Sequence, residues 1–167
     1  EMQEITLLCS FIKPGDCVLD VGANLGLYSL YFSRAVGPMG RVIAVEPDPG
    51  NLELLRANLQ ANHCRNVTVL PCAFSAASGF TDLFQVPDNR GANSFADLEK
   101  TGQSIRVPVR RADEALDELG VRARVAKIDV EGAEPLILAG FREKPDIFLF
   151  EFVPRQLRAF GHEPLAF

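Results

Sequence analysis

The sequence predicts a single α/β domain built around a doubly wound, mostly parallel β-sheet. Five apolar runs of strand length recur along the 167 residues, and uninterrupted apolar runs are typical of parallel strands that are buried on both faces. They cover residues 17–21, 41–46, 67–72, 124–129 and 146–152. Helix-like segments separate the first three runs, and this alternation of strand and helix indicates a doubly wound sheet.

Three segments predict helices. Residues 27–36 are apolar on more than one face, and residues 51–63 place leucines at helical spacing. Residues 112–120 predict a short helix that ends at Gly120, because glycine readily takes the left-handed conformation that closes a helix.

The stretch between the third and fourth strands, residues 73–124, predicts an excursion with a small sheet of its own. Residues 80–86 and 104–109 alternate apolar and polar side chains as strands do, and the loop between them is polar and rich in turn residues. We expect this loop to close over the ligand site and to contact the acceptor through Asn93 and Ser94.

Composition and charge exclude several classes of function. The chain is 47% hydrophobic and 23% charged, which is typical of one globular domain at this length. A net charge of −5 and a pI near 5.1 lack the basic surface that binding to a phosphate backbone requires, so we expect no nucleic-acid partner. No apolar stretch approaches the roughly 20 residues of a membrane span, and the N-terminus has no signal pattern, so we expect no membrane association.

Cysteine usage predicts a reducing compartment. The chain contains Cys9, Cys17, Cys64 and Cys72. No pair has C-x-x-C spacing, and the second and fourth lie in apolar runs, where buried free thiols serve as small hydrophobic residues. We therefore expect a cytoplasmic protein.

The turn after the first strand is a candidate ligand-binding loop. In DVGANLG, Gly22 and Gly26 follow a strand and precede a helix, where backbone approaches a ligand closely and a helix N-terminus faces it. The turn departs from the dinucleotide fingerprint G-x-G-x-x-G, and Asp20 precedes it. A carboxylate there repels a pyrophosphate but suits S-adenosylmethionine (SAM), which has a positive amino group and sulfonium and no phosphate.

Glu46 ends the second strand about 20 residues after the glycines, where dinucleotide-type sites place the carboxylate that binds the ribose hydroxyls. The alternative is a solvated carboxylate at a strand end. Pro47 and Asp48 then turn the chain into the next helix, so Asp48 is also a candidate N-cap.

Charged residues are concentrated in KIDVEGAE, residues 127–134, at the exit of the fourth strand. A buried Lys127 on this strand needs a carboxylate partner, and Asp20, Asp129 and Glu151 are the candidates. These charges should meet at the carboxyl edge of the sheet, where α/β proteins bind ligands. A structural ion pair and a catalytic role for Lys127 both remain open.

Asp129 and Glu131 are the candidate catalytic carboxylates, because a base at the strand exit could remove or orient the proton of an acceptor hydroxyl. We interpret Glu134 as a cap that complements the dipole of the following helix. Asp129, Glu131 and Glu151 could alternatively bind a hard cation through oxygen ligands, but we expect no metal, because loose oxygen-rich clusters are common without one.

Two stretches resemble a known family. Residues 18–62, VLDVGANLG through LQAN, resemble the SAM-binding half of class I methyltransferases. Residues 126–140, AKIDVEGAEPLILAG, resemble the signature of the FkbM family, SAM-dependent methyltransferases known chiefly for methylating hydroxyl oxygens on natural products and sugars. With GANSF and FLFEF included, the resemblance covers nearly the whole chain.

The resemblance implies a class I SAM-dependent methyltransferase fold, SAM as the cofactor and a small-molecule hydroxyl acceptor. It implies that the methionine part of SAM is lined by Asp20, Gly22, Asn24 and Gly26, and that Glu46 binds the ribose. We assign further cofactor contacts to Ala23, Pro47, Ala73 and Asp129, and acceptor contacts to Asn93, Ser94 and Glu151. The residues after the third strand offer no acidic or amide side chain for adenine, so we expect backbone and apolar contacts there.

Two other functions remain open from the sequence. One is a nucleotide-dependent oxidoreductase on a similar fold, and the other is a SAM-binding domain without catalysis.

Class I sheets usually end in an antiparallel hairpin, yet only residues 153–167 follow the fifth strand. We expect the hairpin to be absent from this chain, which begins at Glu1 and ends within an apolar phrase, as a domain cut from a longer protein would. The fifth strand would then be an apolar edge that is covered by a second copy of the chain or by residues of a longer protein.

Overall fold

The computed structural model describes residues 2–86, 93–98, 100 and 102–164. In chain order the strands are β1 (Cys17–Val21), β2 (Arg41–Val45), β3 (Val67–Leu70), β4 (Ala73–Ser75), β5 (Gly79–Phe84), β6 (Ser104–Arg111), β7 (Val125–Ile128) and β8 (Ile147–Phe150). The helices are α1 (Met2–Phe11), α2 (Leu27–Val36), α3 (Pro49–Ala61), α4 (Ala112–Leu119), α5 (Glu134–Ala139) and α6 (Pro154–Ala159).

The main sheet has five parallel strands in the order β3-β2-β1-β7-β8. The chain winds outward from β1 to β3, then returns and winds the other way through β7 and β8. The reversal lies between β1 and β7, and ligands of open α/β sheets bind at the carboxyl ends of the strands beside such a reversal. The predicted doubly wound sheet is therefore confirmed.

Helices cover both faces of this sheet. Because strand side chains alternate, Leu19 and Ile43 pack with α4 and α5, whereas Val18 and Val42 pack with α1 and α2. α3 packs through its leucines against the end of β2. The three central strands, β2, β1 and β7, are buried on both sides, which explains their long apolar runs, whereas the edge strands β3 and β8 are partly buried.

The three predicted helices are present as α2, α3 and α4. α3 begins two residues earlier than predicted, because Asp48 caps it by accepting hydrogen bonds from the N–H groups of Gly50 and Asn51. α4 ends at Gly120, whose φ of 62° is left-handed, as expected from its position.

The excursion between β3 and β7 forms a second sheet in the order β4-β6-β5. The antiparallel pair of β5 and β6 matches the two predicted strands. β4 was not predicted, because it is three residues long and follows β3 after only two residues. It pairs in parallel with β6 and so joins the second sheet to the carboxyl edge of the main sheet.

The cysteines are free thiols. Cys72 is buried as expected, and burial raises the pKa of its thiol to about 11, so it packs as a hydrophobic residue. Cys17 is only half-buried, because it starts β1 at the rim of the core.

The described residues leave β8 paired with β7 alone, so its other edge has no strand partner in that part of the chain. Phe152 follows this strand and is 49% exposed. None of the helices described here is both long enough and apolar enough to cross a lipid bilayer.

Candidate active site

A cavity of about 540 Å³ opens at the carboxyl edge of the main sheet, a volume within the range of small-molecule sites. The glycine turn, the end of β2, β4, the segment 93–95 and the exit of β7 form its wall. The predicted site residues that border it are Gly22, Ala23, Asn24, Glu46, Pro47, Ala73, Asn93, Ser94, Lys127, Asp129, Glu131 and Glu151.

Two predicted cofactor residues, Asp20 and Gly26, lie behind the cavity wall. Asp20 is fully buried, and its Oδ2 accepts a 2.6 Å hydrogen bond from the hydroxyl of Ser29. Gly26 has a φ of 91° and lies against α3, where an added Cβ would stand 2.5 Å from Leu55 Cδ1. Their direct contact with a cofactor is therefore not supported, and both residues shape the turn from behind.

Gly22 holds the turn against the neighbouring strand exit. Its φ is 75°, and a Cβ atom at this position would stand 2.0 Å from the carbonyl oxygen of Asp129. The N–H groups of Gly22 and Ala23 both donate to the carbonyl of Val45, at 3.0 Å each. Because any side chain at position 22 would collide with the exit of β7, only glycine allows the two backbone segments to approach this closely. The turn therefore adds no side chain to this part of the cavity wall.

Glu46 joins the end of β2 to the glycine turn. Its Oε2 accepts a hydrogen bond from the N–H of Asn24 at 2.8 Å, and its Oε1 accepts one from the N–H of Asp48 at 2.9 Å. Burial raises the pKa of Glu46, and these backbone hydrogen bonds oppose the rise. Oε1 also accepts a hydrogen bond from Asn51 Nδ2 at 3.5 Å, whereas Oε2 keeps a second lone pair that could accept a hydroxyl, so ribose binding stays a prediction.

Lys127 connects the glycine turn to the exit of β7. Its Nζ donates to the carbonyl of Gly22 at 2.9 Å and lies 3.3 Å from Asp129 Oδ2. Asp20 Oδ1 lies 3.8 Å away and accepts no hydrogen bond from the described residues. Two of the three expected carboxylate partners are therefore present; Glu151 forms no ion pair with Lys127.

Three carboxylates meet beyond this lysine. Oxygen atoms of Asp129, Glu131 and Glu151 all lie within 4.8 Å of one another. Burial, followed by the negative charges of Glu151 and Asp129, raises the pKa of Glu131 to about 7. Carboxylate oxygens are the ligands that a hard cation prefers, and three of these groups meet here. Such clusters are also common without a cation. The expectation that no metal binds therefore stays a prediction.

The loop that bears Glu131 is fixed from two sides. Glu134 is buried, and its Oε1 accepts hydrogen bonds from the N–H groups of Val130 at 3.2 Å and Gly132 at 3.3 Å. Glu134 lies in the first turn of α5, as the predicted complement to the helix dipole requires, and its carboxylate in addition holds the loop before the helix. On the other side, the Gln156 amide of α6 donates to the Glu131 carboxylate.

Asn93 and Ser94 span the cavity opening. Ser94 is buried, pairs with the end of β5, and donates through Oγ to the carbonyl of Glu131 at 3.1 Å. Asn93 Nδ2 donates to Asp48 Oδ2 at 3.2 Å on the opposite side. Residues 87–92 of the predicted closing loop lie outside the described residues.

Several residues that border the cavity were not predicted. Among them are Leu25 within the glycine turn, Leu27 and Tyr28 at the start of α2, and Phe95 in residues 93–95, the spanning segment. The first three lie in the turn or directly after it, so their proximity to a helix N-terminus was a usable signal. Gln156 had no such signal, because it is 25 residues from its partner Glu131.

The strand order and the glycine turn beside an acidic sheet edge define a class I SAM-dependent methyltransferase fold. The same fold is present in the precorrin-6y C5,15-methyltransferase of Geobacter metallireducens GS-15, with a TM-score of 0.58 and 20% identity. That comparison covers 96% of this chain and 69% of the other.

The family model of the Methyltransferase FkbM domain matches residues 20–155 of this chain. The chain belongs to the FkbM methyltransferase family, and SAM is the general cofactor of this fold.

Two curated relatives are similar over most of this chain. Methyltransferase sdnD of Sordaria araneosa is 30% identical over 158 residues, covering 76% of this chain and 61% of its own length. The 31-O-demethyl-FK506 methyltransferase FkbM of Streptomyces tacrolimicus is 31% identical over 162 residues, covering 79% and 62%. The chain thus spans about three fifths of the length of these relatives.

Proposed function

We propose that this protein transfers a methyl group from SAM to a hydroxyl oxygen of a small molecule, such as a natural product or a sugar. The observation that carries the proposal is that the glycine turn and the carboxylates of Asp129 and Glu131 border one cavity. A cofactor held by the turn and an acceptor beside the carboxylates would therefore be neighbours, and such positioning contributes much of the rate enhancement in a transfer reaction.

The charge of the cavity wall favours a cationic cofactor. Four carboxylates border it, those of Glu46, Asp129, Glu131 and Glu151, against the single ammonium of Lys127 among the described lining residues. SAM, when bound, supplies a methyl group on a positively charged sulfonium, which this wall would attract. A dinucleotide pyrophosphate would be repelled, and the chain belongs to a methyltransferase family, so the oxidoreductase alternative is not favoured.

The carboxylates are suited to proton transfer. With a pKa of about 7, Glu131 is deprotonated in an appreciable fraction at neutral pH and can still hold a proton that it accepts from a hydroxyl. Asp129 is held by the Lys127 ammonium at 3.3 Å and would orient the same hydroxyl. Glu131 is therefore the proposed base and Asp129 the proposed orienting group.

The rim of the cavity supports an acceptor with an apolar body. Leu25 and Leu27 border the cavity and are partly exposed, and Phe95 borders it from the spanning segment. Such side chains bury apolar surface while the few polar groups fix orientation, as is usual in small-molecule sites. The name of the Streptomyces tacrolimicus relative refers to an O-demethylated FK506, which is in line with an oxygen acceptor.

The net charge and the thiols of the protein indicate which partners and which compartment suit it. The acidic charge favours neither nucleic acid nor an anionic membrane surface as a partner. The free cysteines are in keeping with a cytoplasmic site of action.

Two measurements test the proposed function. Calorimetry with S-adenosylhomocysteine and with NAD should show binding of the first only; binding of NAD alone would contradict the proposal.

Transfer of a labelled methyl group from SAM should then be assayed on a panel of hydroxylated small molecules. Glu131→Gln is the inactive comparison, and Glu114→Gln, at an exposed site on α4, is the control. Cofactor binding with no transfer to any acceptor would instead support a SAM-binding domain without catalysis.

A further inference from the structure

Tyr28 lies between the N-terminal helix and the buried lysine. It occupies the second position of α2 and borders the cavity. Its hydroxyl donates a 2.8 Å hydrogen bond to Glu4 Oε2 of α1, and its ring centroid lies 4.9 Å from Lys127 Nζ. α1 precedes the residues 20–155 matched by the family model. The contact therefore connects a helix outside that match to the centre of the site.

The Lys127 ammonium has little water to stabilise it, because the residue is only 5% exposed. A buried charge is costly unless other groups replace its hydration. The carbonyl of Gly22 and the carboxylates of Asp20 and Asp129 do so in part. The ring face of Tyr28 attracts the same ammonium, and this cation–π attraction is stronger at a desolvated site than at an exposed one.

We propose that Tyr28 is a positioning residue, whose ring holds the Lys127 ammonium between the Gly22 carbonyl and the Asp129 carboxylate. The glycine turn and the exit of β7 are thereby kept in one fixed arrangement. The effect on ligand binding rests on the proposed function, whereas the placement of Lys127 does not. Tyr28 acts through Lys127, so its removal should move the lysine and loosen the turn together.

Two substitutions separate the ring from the hydroxyl. Tyr28→Phe keeps the ring over Lys127 and removes only the hydrogen bond to Glu4. Tyr28→Leu removes the ring face and leaves an apolar side chain in its place. Tyr31→Leu is the matched control, because it removes the other tyrosine of the same helix, which does not border the cavity.

The position of Lys127 can be measured directly by NMR on protein with ¹³C-labelled lysine. The chain has four lysines, Lys13, Lys100, Lys127 and Lys144, and single Lys→Arg variants of the other three assign the remaining ε-methylene signal. The ring current of Tyr28 should shift this signal upfield. The shift should persist in Tyr28→Phe and Tyr31→Leu, which keep the ring of residue 28. In Tyr28→Leu, where the ring current is lost in any case, the nuclear Overhauser effects between the Lys127 ε-methylene group and Gly22 should also weaken, and their persistence at full strength would overturn the proposal.

Calorimetry with S-adenosylhomocysteine gives the functional readout. We expect Tyr28→Leu to raise Kd about three- to tenfold, as loss of a partly desolvated cation–π contact would, and Tyr28→Phe to raise it less than about twofold. Equal weakening in Tyr28→Phe and Tyr28→Leu, or in Tyr31→Leu and Tyr28→Leu, would overturn a role for the ring. If the unaltered protein binds no S-adenosylhomocysteine, the proposed function fails, and the NMR signal alone then decides the placement of Lys127.

Discussion

The carbonyl oxygen of Asp129 stands 2.0 Å from the position that a Cβ atom on Gly22 would occupy. The glycine turn and the acidic exit of β7 are thus packed backbone against backbone. Lys127 connects the same two segments through its hydrogen bond to Gly22 and its ion pair with Asp129. A substitution that moves the backbone of either segment should therefore also displace the other segment.

Gly22→Ala should destabilise the protein and abolish binding of S-adenosylhomocysteine, because the methyl group has no room. Gly15→Ala is the control, since Gly15 also has a positive φ, of 92°, but open space around the added Cβ. The left-handed conformation costs about 1–2 kcal/mol in either variant, and overpacking adds about 1–3 kcal/mol at Gly22 alone. Denaturant unfolding measures both; equal losses of stability would contradict the close packing.

Glu46→Ala should weaken binding of S-adenosylhomocysteine by about 1.5–3 kcal/mol, the range for hydrogen bonds to a charged group. The variant also frees the N–H of Asn24, so the turn itself loosens. Glu53→Ala, at an exposed position of α3, is the control. Calorimetry checks the difference, and unchanged affinity in Glu46→Ala would remove Glu46 from the cofactor site.

The activity should rise with pH through about 7, because Glu131 must lose its proton before it can act as a base. Glu131→Gln should lower the rate about 10²–10⁴-fold, the usual contribution of a general base, and remove this rise. Rate–pH profiles of both proteins check the prediction, with Glu114→Gln as the control. A Glu131→Gln profile that keeps the same rise would assign the titration to another group.

The same carboxyl should make stability depend on pH. Its pKa is raised from 4.5 to about 7 in the folded protein, so the folded state binds this proton more tightly than the unfolded state does. The resulting stabilisation is fully present below pH 4.5 and is lost as pH rises through about 7. Thermal melting between about pH 5 and 8 should therefore show a smaller decline for Glu131→Gln than for the unaltered protein.

Ser94→Ala should accelerate release of S-adenosylhomocysteine by about three- to tenfold, because it removes the hydrogen bond that ties the spanning segment to the Glu131 carbonyl. Stopped-flow displacement measures this rate. Ser104→Ala, at an exposed position of β6, should leave the rate unchanged. Identical release rates in all three proteins would show that the segment does not retain the ligand.

One edge of β8 has no strand partner among the described residues, and this edge should make the protein self-associate, since an unpaired apolar edge is open to pairing with another strand. Phe152→Lys should reduce this association, because a lysine beside an edge strand opposes pairing. Phe80→Lys is the control, because Phe80 is also exposed, at 65%, but belongs to the second sheet. Light scattering over a range of concentrations checks the prediction, and a monomer throughout would contradict it.

The main sheet could be predicted from the sequence because its evidence is local. Uninterrupted apolar runs follow from burial of a strand on both faces, and a glycine turn at the end of the first run follows from the backbone geometry of that turn. The position of acidic residues at the ends of parallel strands then places them at one edge of the sheet. The cavity and most of its lining follow from these patterns.

The remaining contacts depended on the tertiary structure, because they join residues far apart in the chain. Lys127 and Gly22 are 105 residues apart, and Ser94 and Glu131 are 37 apart. No local pattern indicates that Asp20 lies behind the wall, that Tyr28 faces Lys127, or that Glu134 holds the loop before its own helix. These relationships arise only when the strands pair in register and the helices pack on the sheet, because that packing decides which side chains face one another.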